Sequence, residues 1–367
     1  MKAMQRQVNE EYKISSFLVL YLVCSMQIGI GILSFQRAVV EKAGNDALFA
    51  VFIAGGIVHI LLLMIFKILQ NGQGDLITIH YDIFGKYIGA LFSLIWIVYF
   101  WSISLVVIRS YIEVVQVWMF PEMNVFFFCL ILFCLVTYII TGGFRIVTGI
   151  CFLGILIPSY LVLTFIFPLG HTDFRNLLPM WNHSYKEMIL GTKEMFLSFL
   201  GVGTILMYYP FIKNPEKTQK WAHLGSFIST IVYGILLLLS LAYFSVEHLT
   251  KNIYPTLTMW KMVEFSFVER FEYIGISSWI LIILTNICLA LWCASRGIRQ
   301  LFGLNQRITL LIMLLFLLIF NLLVEDKQQI ATIRNIVAWM GLSLLVAYVP
   351  LLFALSFILP WKRGRKH

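Results

Sequence analysis

Long apolar blocks constrain this chain more than any other feature of its sequence. Residues 47–66, 88–108, 224–244 and 279–294 are almost free of charge. Each approaches or exceeds the roughly 20 apolar residues that cross a hydrocarbon layer about 30 Å thick as a helix. Lipid cannot satisfy exposed backbone N–H and C=O groups, so such blocks must form helices or a closed barrel. They lack the alternation of a barrel strand. The rest of the composition agrees: 60% of the 367 residues are hydrophobic and 12% are charged. The mean hydropathy is +0.89. A soluble domain carries about 25% charged residues.

Helices are expected at about 14–40, 46–69, 86–118, 124–141, 145–168, 187–211, 218–244, 270–295, 306–324 and 332–359. The chain is thus an all-α polytopic membrane protein of about ten transmembrane helices, one membrane domain over 1–367. Residues 1–13 carry charges of both signs (Lys2, Arg6, Glu10, Glu11, Lys13). The apolar segment behind them has no small-x-small cleavage site with a soluble domain after it, so it is read as the first membrane helix. The longest connections, 170–186 and 245–269, are too short for a folded water-soluble domain.

Lys and Arg set the expected orientation. With the N-terminus inside, the inner segments hold Lys67, Lys86, Arg145, Lys213, Lys217, Lys220, Arg296, Arg299 and Arg307, and the tail 361–367 adds an aromatic followed by cations. Both termini are therefore expected in the cytoplasm, the tail facing an anionic leaflet. The net charge of +9 is accounted for by this topology, and no nucleic-acid partner is implied. The six cysteines, Cys24, Cys129, Cys134, Cys151, Cys288 and Cys293, all fall within apolar runs and lack metal-ligand or disulfide spacing. They are read as small packing residues, and no metal or other cofactor is implied.

Two expected helices are interrupted. The first contains Gln27-Ile28-Gly29-Ile30-Gly31-Ile32-Leu33-Ser34, the sixth Ser198-Phe199-Leu200-Gly201-Val202-Gly203-Thr204. Each glycine weakens a helix by roughly 1 kcal/mol relative to Ala, so a Gly-x-Gly pair invites a break. At the bilayer midplane the freed backbone groups must line a cavity or be buried in protein. The N-terminus of the following half-helix then offers N–H donors and a positive dipole end to a carboxylate, and the carbonyls of the preceding half can take an ammonium. Gly-x-Gly can also serve only to let neighbouring helices approach closely. Its recurrence in helices 1 and 6 favours a site, because those helices correspond if 14–168 and 187–359 are two repeats of five helices. The expected architecture is a five-plus-five inverted-repeat transporter fold with broken helices 1 and 6.

Neither interrupted stretch contains Asp or Glu. An amine alone needs a carboxylate partner, whereas a zwitterion can use both kinds of helix end. The expected solute is a small neutral amino acid or a similar molecule. The candidate binding residues are Gln27, Ile28, Gly29 and Gly31 of helix 1 and Leu200, Gly201, Val202 and Gly203 of helix 6. Tyr99 and Ser102 of helix 3 and Thr285 and Cys288 of helix 8 join them, with Asn286 in the same polar centre. Arg109 and Glu113, four residues apart on helix 3, form either a structural ion pair or a gate. His59, midway along helix 2, is read as a packing residue with a hydrogen bond. No His/Asp/Glu cluster with acid–base or metal spacing appears, which argues against an enzyme.

Further stretches carry a resemblance. They are Ile14-Ser15 leading into the first interruption, Glu41-Lys42-Ala43-Gly44, Phe84-Gly85-Lys86, and Asn176-Leu177-Leu178-Pro179. They continue with Tyr209-Pro210-Phe211-Ile212-Lys213, Tyr254-Pro255-Thr256-Leu257 and Val268-Glu269-Arg270-Phe271-Glu272. Over nearly its whole length the chain resembles the B subunit of bacterial spore germinant receptors, within the amino acid–polyamine–organocation transporter superfamily. The resemblance implies ten helices in the five-plus-five fold and a place in the inner membrane of a dormant spore. It also implies partnership with an A subunit and a lipoprotein C subunit, and recognition of a nutrient germinant. Many relatives carry Glu after the first helix-six glycine, where this chain has Val202. Two functions share such a pocket: a nutrient sensor that signals to partner subunits, which the resemblance favours, and a secondary amino acid transporter coupled to H⁺ or Na⁺.

Overall fold

A computed structural model describes residues 8–263, 269–324 and 326–358. The orientation signals Lys2, Arg6 and 361–367, and Val268 of the last family-like stretch, lie outside the described residues.

Eight helical runs among the described residues are long and apolar enough to cross a membrane, and two shorter apolar helices complete ten segments. In chain order the helices are α1 (Val19–Gln27), α2 (Phe35–Ala43), α3 (Ala47–Gly72), α4 (Leu76–Trp118), α5 (Val125–Thr141) and α6 (Phe144–Leu156). Then come α7 (Tyr160–Leu163), α8 (Ile166–Leu169), α9 (Tyr185–Phe196), α10 (Ile205–Tyr208), α11 (Thr218–Tyr243), α12 (Val246–Lys251) and α13 (Pro255–Trp260). The last are α14 (Phe271–Phe302), α15 (Gln306–Leu323), α16 (Lys327–Leu342) and α17 (Val349–Ile358). Segment 1 is α1 with α2. Segment 6 is α9, the 3₁₀ stretch Leu197–Thr204, and α10.

Large apolar side chains such as Ile131, Leu163, Leu311 and Leu315 remain exposed on the outer surface. That is an error on a soluble protein and a requirement in lipid, where every backbone polar group is already paired within its helix. Several helix starts are capped by polar side chains. Asp75 accepts from the Thr78 amide, Ser184 and Glu187 form a capping box, and Asn305 accepts from the Arg307 amide.

α14 is the most buried of the spans, and it runs against α4 in the most extensive helix pairing of the molecule. This pair carries much of the frame. Against it stands a second group in which α1 packs on α11, α11 on α3, and α2 and α3 on α9. The two groups meet at segments 1 and 6. A parallel bridge ties the start of the chain to the end of segment 6: the Ile14 amide donates to the Phe211 carbonyl and the Lys213 amide to the Ile14 carbonyl, both at 2.8 Å.

Several boundaries differ from the sequence reading. The third segment, α4, begins at Leu76 and bends at Gly85, whose φ of 76° lies in the left-handed region open to glycine. His80 and Asp82 dilute the hydropathy of this first stretch, which hid it. His80 is fully buried and held on both ring nitrogens, by Ser93 at 2.8 Å and Tyr348 at 2.9 Å. The eighth segment, α14, continues about two turns past its expected end at 295, through Arg296 and Arg299 to Phe302. The connection 245–269 holds α12 and α13, and the latter is buried through Leu257 and Trp260.

Candidate binding site

The two interruptions differ in kind. In segment 1 the backbone leaves the helix at Ile28 (φ −95°, ψ 96°) and is fully extended at Gly29 (φ −134°, ψ −150°). It re-forms as a 3₁₀ turn, Ile30–Leu33, before α2. Among the described residues, the N–H groups of Gly29, Ile30 and Gly31 have no hydrogen-bond acceptor. In segment 6 the chain stays right-handed helical at both ends of Leu197–Thr204, where 3₁₀ bonding replaces the α ladder. The 3₁₀ form tightens the helix and keeps its amides engaged.

Side chains from distant segments hold the carbonyls that the first interruption frees. Asn286 of α14 donates to the Ser25 carbonyl. The Tyr233 hydroxyl of α11 donates to the Gln27 carbonyl at 2.8 Å. Thr256 of α13 donates to the Ile32 carbonyl at 2.8 Å and accepts from the Gln36 side chain at 2.7 Å. In segment 6 the Tyr99 hydroxyl donates to the Leu200 carbonyl at 3.2 Å, and the Thr204 hydroxyl to the Gly201 carbonyl at 2.9 Å.

The glycines also set distances. A Cβ on Gly201 would lie 2.5 Å from the Met26 carbonyl oxygen, so segment 6 presses on the backbone of α1. A Cβ on Gly29 would strike the Asn286 side chain, and one on Gly203 would come within 2.7 Å of Trp96. Gly31 is different: its nearest neighbour there is the Ser198 hydroxyl at 3.7 Å.

Beside these features lies a cavity of about 430 Å³. Of the candidate residues, Gln27, Gly29, Gly31, Tyr99, Leu200 and Gly201 line it. Asn286 joins them, along with Ser198, Tyr233 and Tyr254. Ile28, Ser102, Val202, Gly203, Thr285 and Cys288 do not line it. The Ser102 hydroxyl turns back to the Tyr99 carbonyl at 2.9 Å, and that of Thr285 to the Ile282 carbonyl at 2.7 Å. Val202 and Cys288 are buried in packing. Ile28 lies where the helix has already ended; the others sit on helix faces turned towards neighbouring segments, which a count along a helix of unknown rotation cannot reveal.

The charged lining lies outside every motif that the sequence singled out. Glu194 of α9 and Arg334 of α16 both line the cavity, with Asn335 beside Arg334. Neither belongs to an interrupted stretch. The available signal was helical spacing: Glu194 lies one turn before Ser198. Arg109 is buried and lines a separate small cavity with Ser110, Asn321 and Arg334, while Glu113 is half-buried. His59 reaches His223 of α11 through their Nδ1 atoms at 2.7 Å, with the rings stacked. No group of three His, Cys, Asp or Glu that could hold a metal occurs among the described residues.

The site is therefore a pocket between an opened helix and a closed one, with free amides on one wall and one side chain of each charge on others. The sequence match that bears on it is broad. A family described as spore germination protein matches residues 13–330. The chain belongs to this family. Its family relatives include Spore germination protein GerQB of Bacillus cereus, 39% identical over 96% of this chain and 98% of that protein. Spore germination protein A2 of Bacillus subtilis (strain 168) is 23% identical over 96% of each. Among solved structures, a substrate-bound, outward-open Na⁺-coupled sialic acid symporter aligns with a TM-score of 0.71 at 10% identity, covering 96% of this chain and 81% of that one. MhsT in complex with L-phenylalanine aligns with a TM-score of 0.60 at 12% identity, covering 94% and 97%. At such identities these neighbours show the fold alone: this spore germination family member is a multi-pass membrane protein with a transporter fold.

Proposed function

We propose that this protein is the membrane subunit of a germinant receptor and that its cavity binds a small zwitterionic solute, an amino acid or a close analogue. The observation that carries the reading is that Gly29, Ile30 and Gly31, whose amides are unpaired among the described residues, line a cavity with room for an amino acid. Amides at a helix start are donors in search of an anion, and a carboxylate satisfies several at once. The ammonium end has less backbone to use, because Asn286, Tyr233 and Tyr99 already occupy the nearby carbonyls. Each carbonyl keeps a second lone pair, and Glu194 supplies a further acceptor. Arg334 widens the range to solutes with a second acidic group.

In this reading the solute stabilises one packing of the two helix groups over another, and the difference in affinity between the two states is the signal. An A subunit and a lipoprotein C subunit would receive it. Both termini would face the interior of the spore, with the Arg334 side of the cavity outward. The symporter-like fold supports a second reading, a secondary amino acid transporter coupled to H⁺ or Na⁺.

Gly31 offers the cleanest test, since a side chain there enters open space. In spores carrying Gly31→Val, the germinant concentration for half-maximal response is expected to rise at least about tenfold, the loss of one charge-assisted contact, with the protein present at normal level. An unchanged concentration dependence removes the solute from this cavity. Uptake of labelled amino acids by proteoliposomes holding this chain alone separates the two readings: accumulation against a gradient makes it a transporter.

A further inference from the structure

A second cavity, larger than the first, lies on the face of the molecule that carries the N-terminal peptide. It encloses about 680 Å³ and reaches from Asn9 and Tyr12 to the turn between α14 and α15. Its charged lining consists of Arg296, Arg299 and Arg307, with no acidic side chain among the described residues that line it.

The local structure explains the clustering. Arg296 and Arg299 are three apart on α14 and share a face. Gly303 then ends the helix at φ 72°, a left-handed turn open to glycine, and Asn305 caps the start of α15. This brings Arg307 and the amide-bearing N-terminus of an 18-residue helix back beside the two arginines. Like charges are gathered here against their mutual repulsion.

Their usual partners are elsewhere. None of the three arginines makes an ion pair with a carboxylate among the described residues. The Arg296 guanidinium carbon lies over the Phe211 ring at 4.3 Å and over Trp292 at 5.7 Å. Cation–π contact engages the face of a guanidinium and leaves its N–H edge available, and the buried Nε has no acceptor among the described residues. Asp75, whose charge reaches Arg296, already accepts from Thr78 and Gln300. Glu10 is paired with Lys13. A desolvated guanidinium with a free edge is costly unless an anion completes it.

We propose that this vestibule is a binding site for a phosphate-bearing anion, held by Arg296, Arg299 and Arg307. Guanidinium edges match phosphate oxygens two at a time, and three of them suit a tetrahedral anion better than a single carboxylate. The start of α15 adds N–H donors of the right polarity. The volume exceeds that of phosphate alone, and the apolar walls at Ile140 and Leu310 leave room for what the phosphate is attached to. The same chemistry is offered by a soluble phosphate and by the headgroup of an anionic phospholipid.

The test uses the full chain, purified in a neutral detergent or placed in phosphatidylcholine nanodiscs. Thermal unfolding is followed against inorganic phosphate at constant ionic strength in chloride, and against a rising fraction of phosphatidylglycerol. Saturable protection by phosphate identifies a soluble ligand, and protection by phosphatidylglycerol alone identifies a headgroup. In either case the half-saturating concentration is expected to rise at least about tenfold in Arg299→Gln/Arg307→Gln, both exposed positions, the size of a lost charge-assisted contact. Arg296→Gln should abolish protection altogether. Absence of protection in both arms overturns the proposal, as does full protection retained in the double variant. Protection by a hexaglutamate peptide without protection by phosphate or phosphatidylglycerol also overturns it, by making the vestibule a docking site for an acidic protein segment.

Discussion

Segments 1 and 6 carry the same Gly-x-Gly string and use it differently. In segment 1 the helix opens: Gly29 is extended, and the three successive residues with unpaired amides among the described residues line the cavity. In segment 6 the helix only narrows into 3₁₀ form, and Gly201 brings it onto the Met26 backbone. The difference follows from what surrounds each stretch. Opening a helix frees carbonyls, and a membrane interior has no water to take them. Around segment 1, Asn286, Tyr233 and Thr256 arrive from three separate helices to accept that task. Segment 6 draws on Tyr99 and on its own Thr204, and its glycines are spent on proximity. Gly-x-Gly permits a break, and the neighbours decide whether one forms.

The contact that keeps segment 6 against α1 depends most on Gly201. Gly201→Ala places a methyl group 2.5 Å from a backbone oxygen that cannot step aside. It is expected to cost about 1–3 kcal/mol or more by overpacking, seen as a lowered melting temperature in detergent. An unchanged melting temperature would mean that segment 6 is not pressed on α1.

Next comes Thr256→Val, which strips the Ile32 carbonyl of its donor and the Gln36 amide of its acceptor. A loss of about 2 kcal/mol is expected, since both groups stay buried. Stability equal to wild type would show that segment 1 stays open without its clamp.

Tyr99→Phe removes a longer bond, to the Leu200 carbonyl of the closed stretch. About 1 kcal/mol is expected. A loss larger than that of Thr256→Val would reverse the ranking of the two segments. The smallest change belongs to Gly31→Ala, where the added Cβ meets nothing closer than 3.7 Å. Stability within about 0.5 kcal/mol of wild type is expected, so any change in germinant response at this position reports on the cavity. A large drop in melting temperature would instead make Gly31 a packing glycine like Gly201.

Much of the fold was legible because the bilayer leaves so few options. Apolar block length placed all ten segments, and the paired glycines marked the two places where the α-helix gives way, to an opening in segment 1 and to 3₁₀ form in segment 6. Boundaries failed where polarity and helix diverge: the stretch before Gly85 looked too polar because of His80, yet Tyr348 and Ser93 satisfy that ring inside the protein. The π-helical turn Ser343–Tyr348 had no signature at all. Half of the expected site residues line the cavity. Those that miss it, such as Thr285 and Gly203, lie on the interrupted or polar segments but face other helices, because the rotation of a helix depends on what packs against it.

From the sequence alone came the class of the molecule, the number of its spans, and the positions where its helices are weak. Those are consequences of hydrocarbon thickness and backbone propensity, which act locally. Only the tertiary structure decided which weak point opens, and only it brought Glu194, Asn286 and Arg334 to one cavity. The physical reason is that a freed carbonyl in a membrane protein must find its donor on another segment: Thr256 serves Ile32 and Asn286 serves Ser25 across more than two hundred residues.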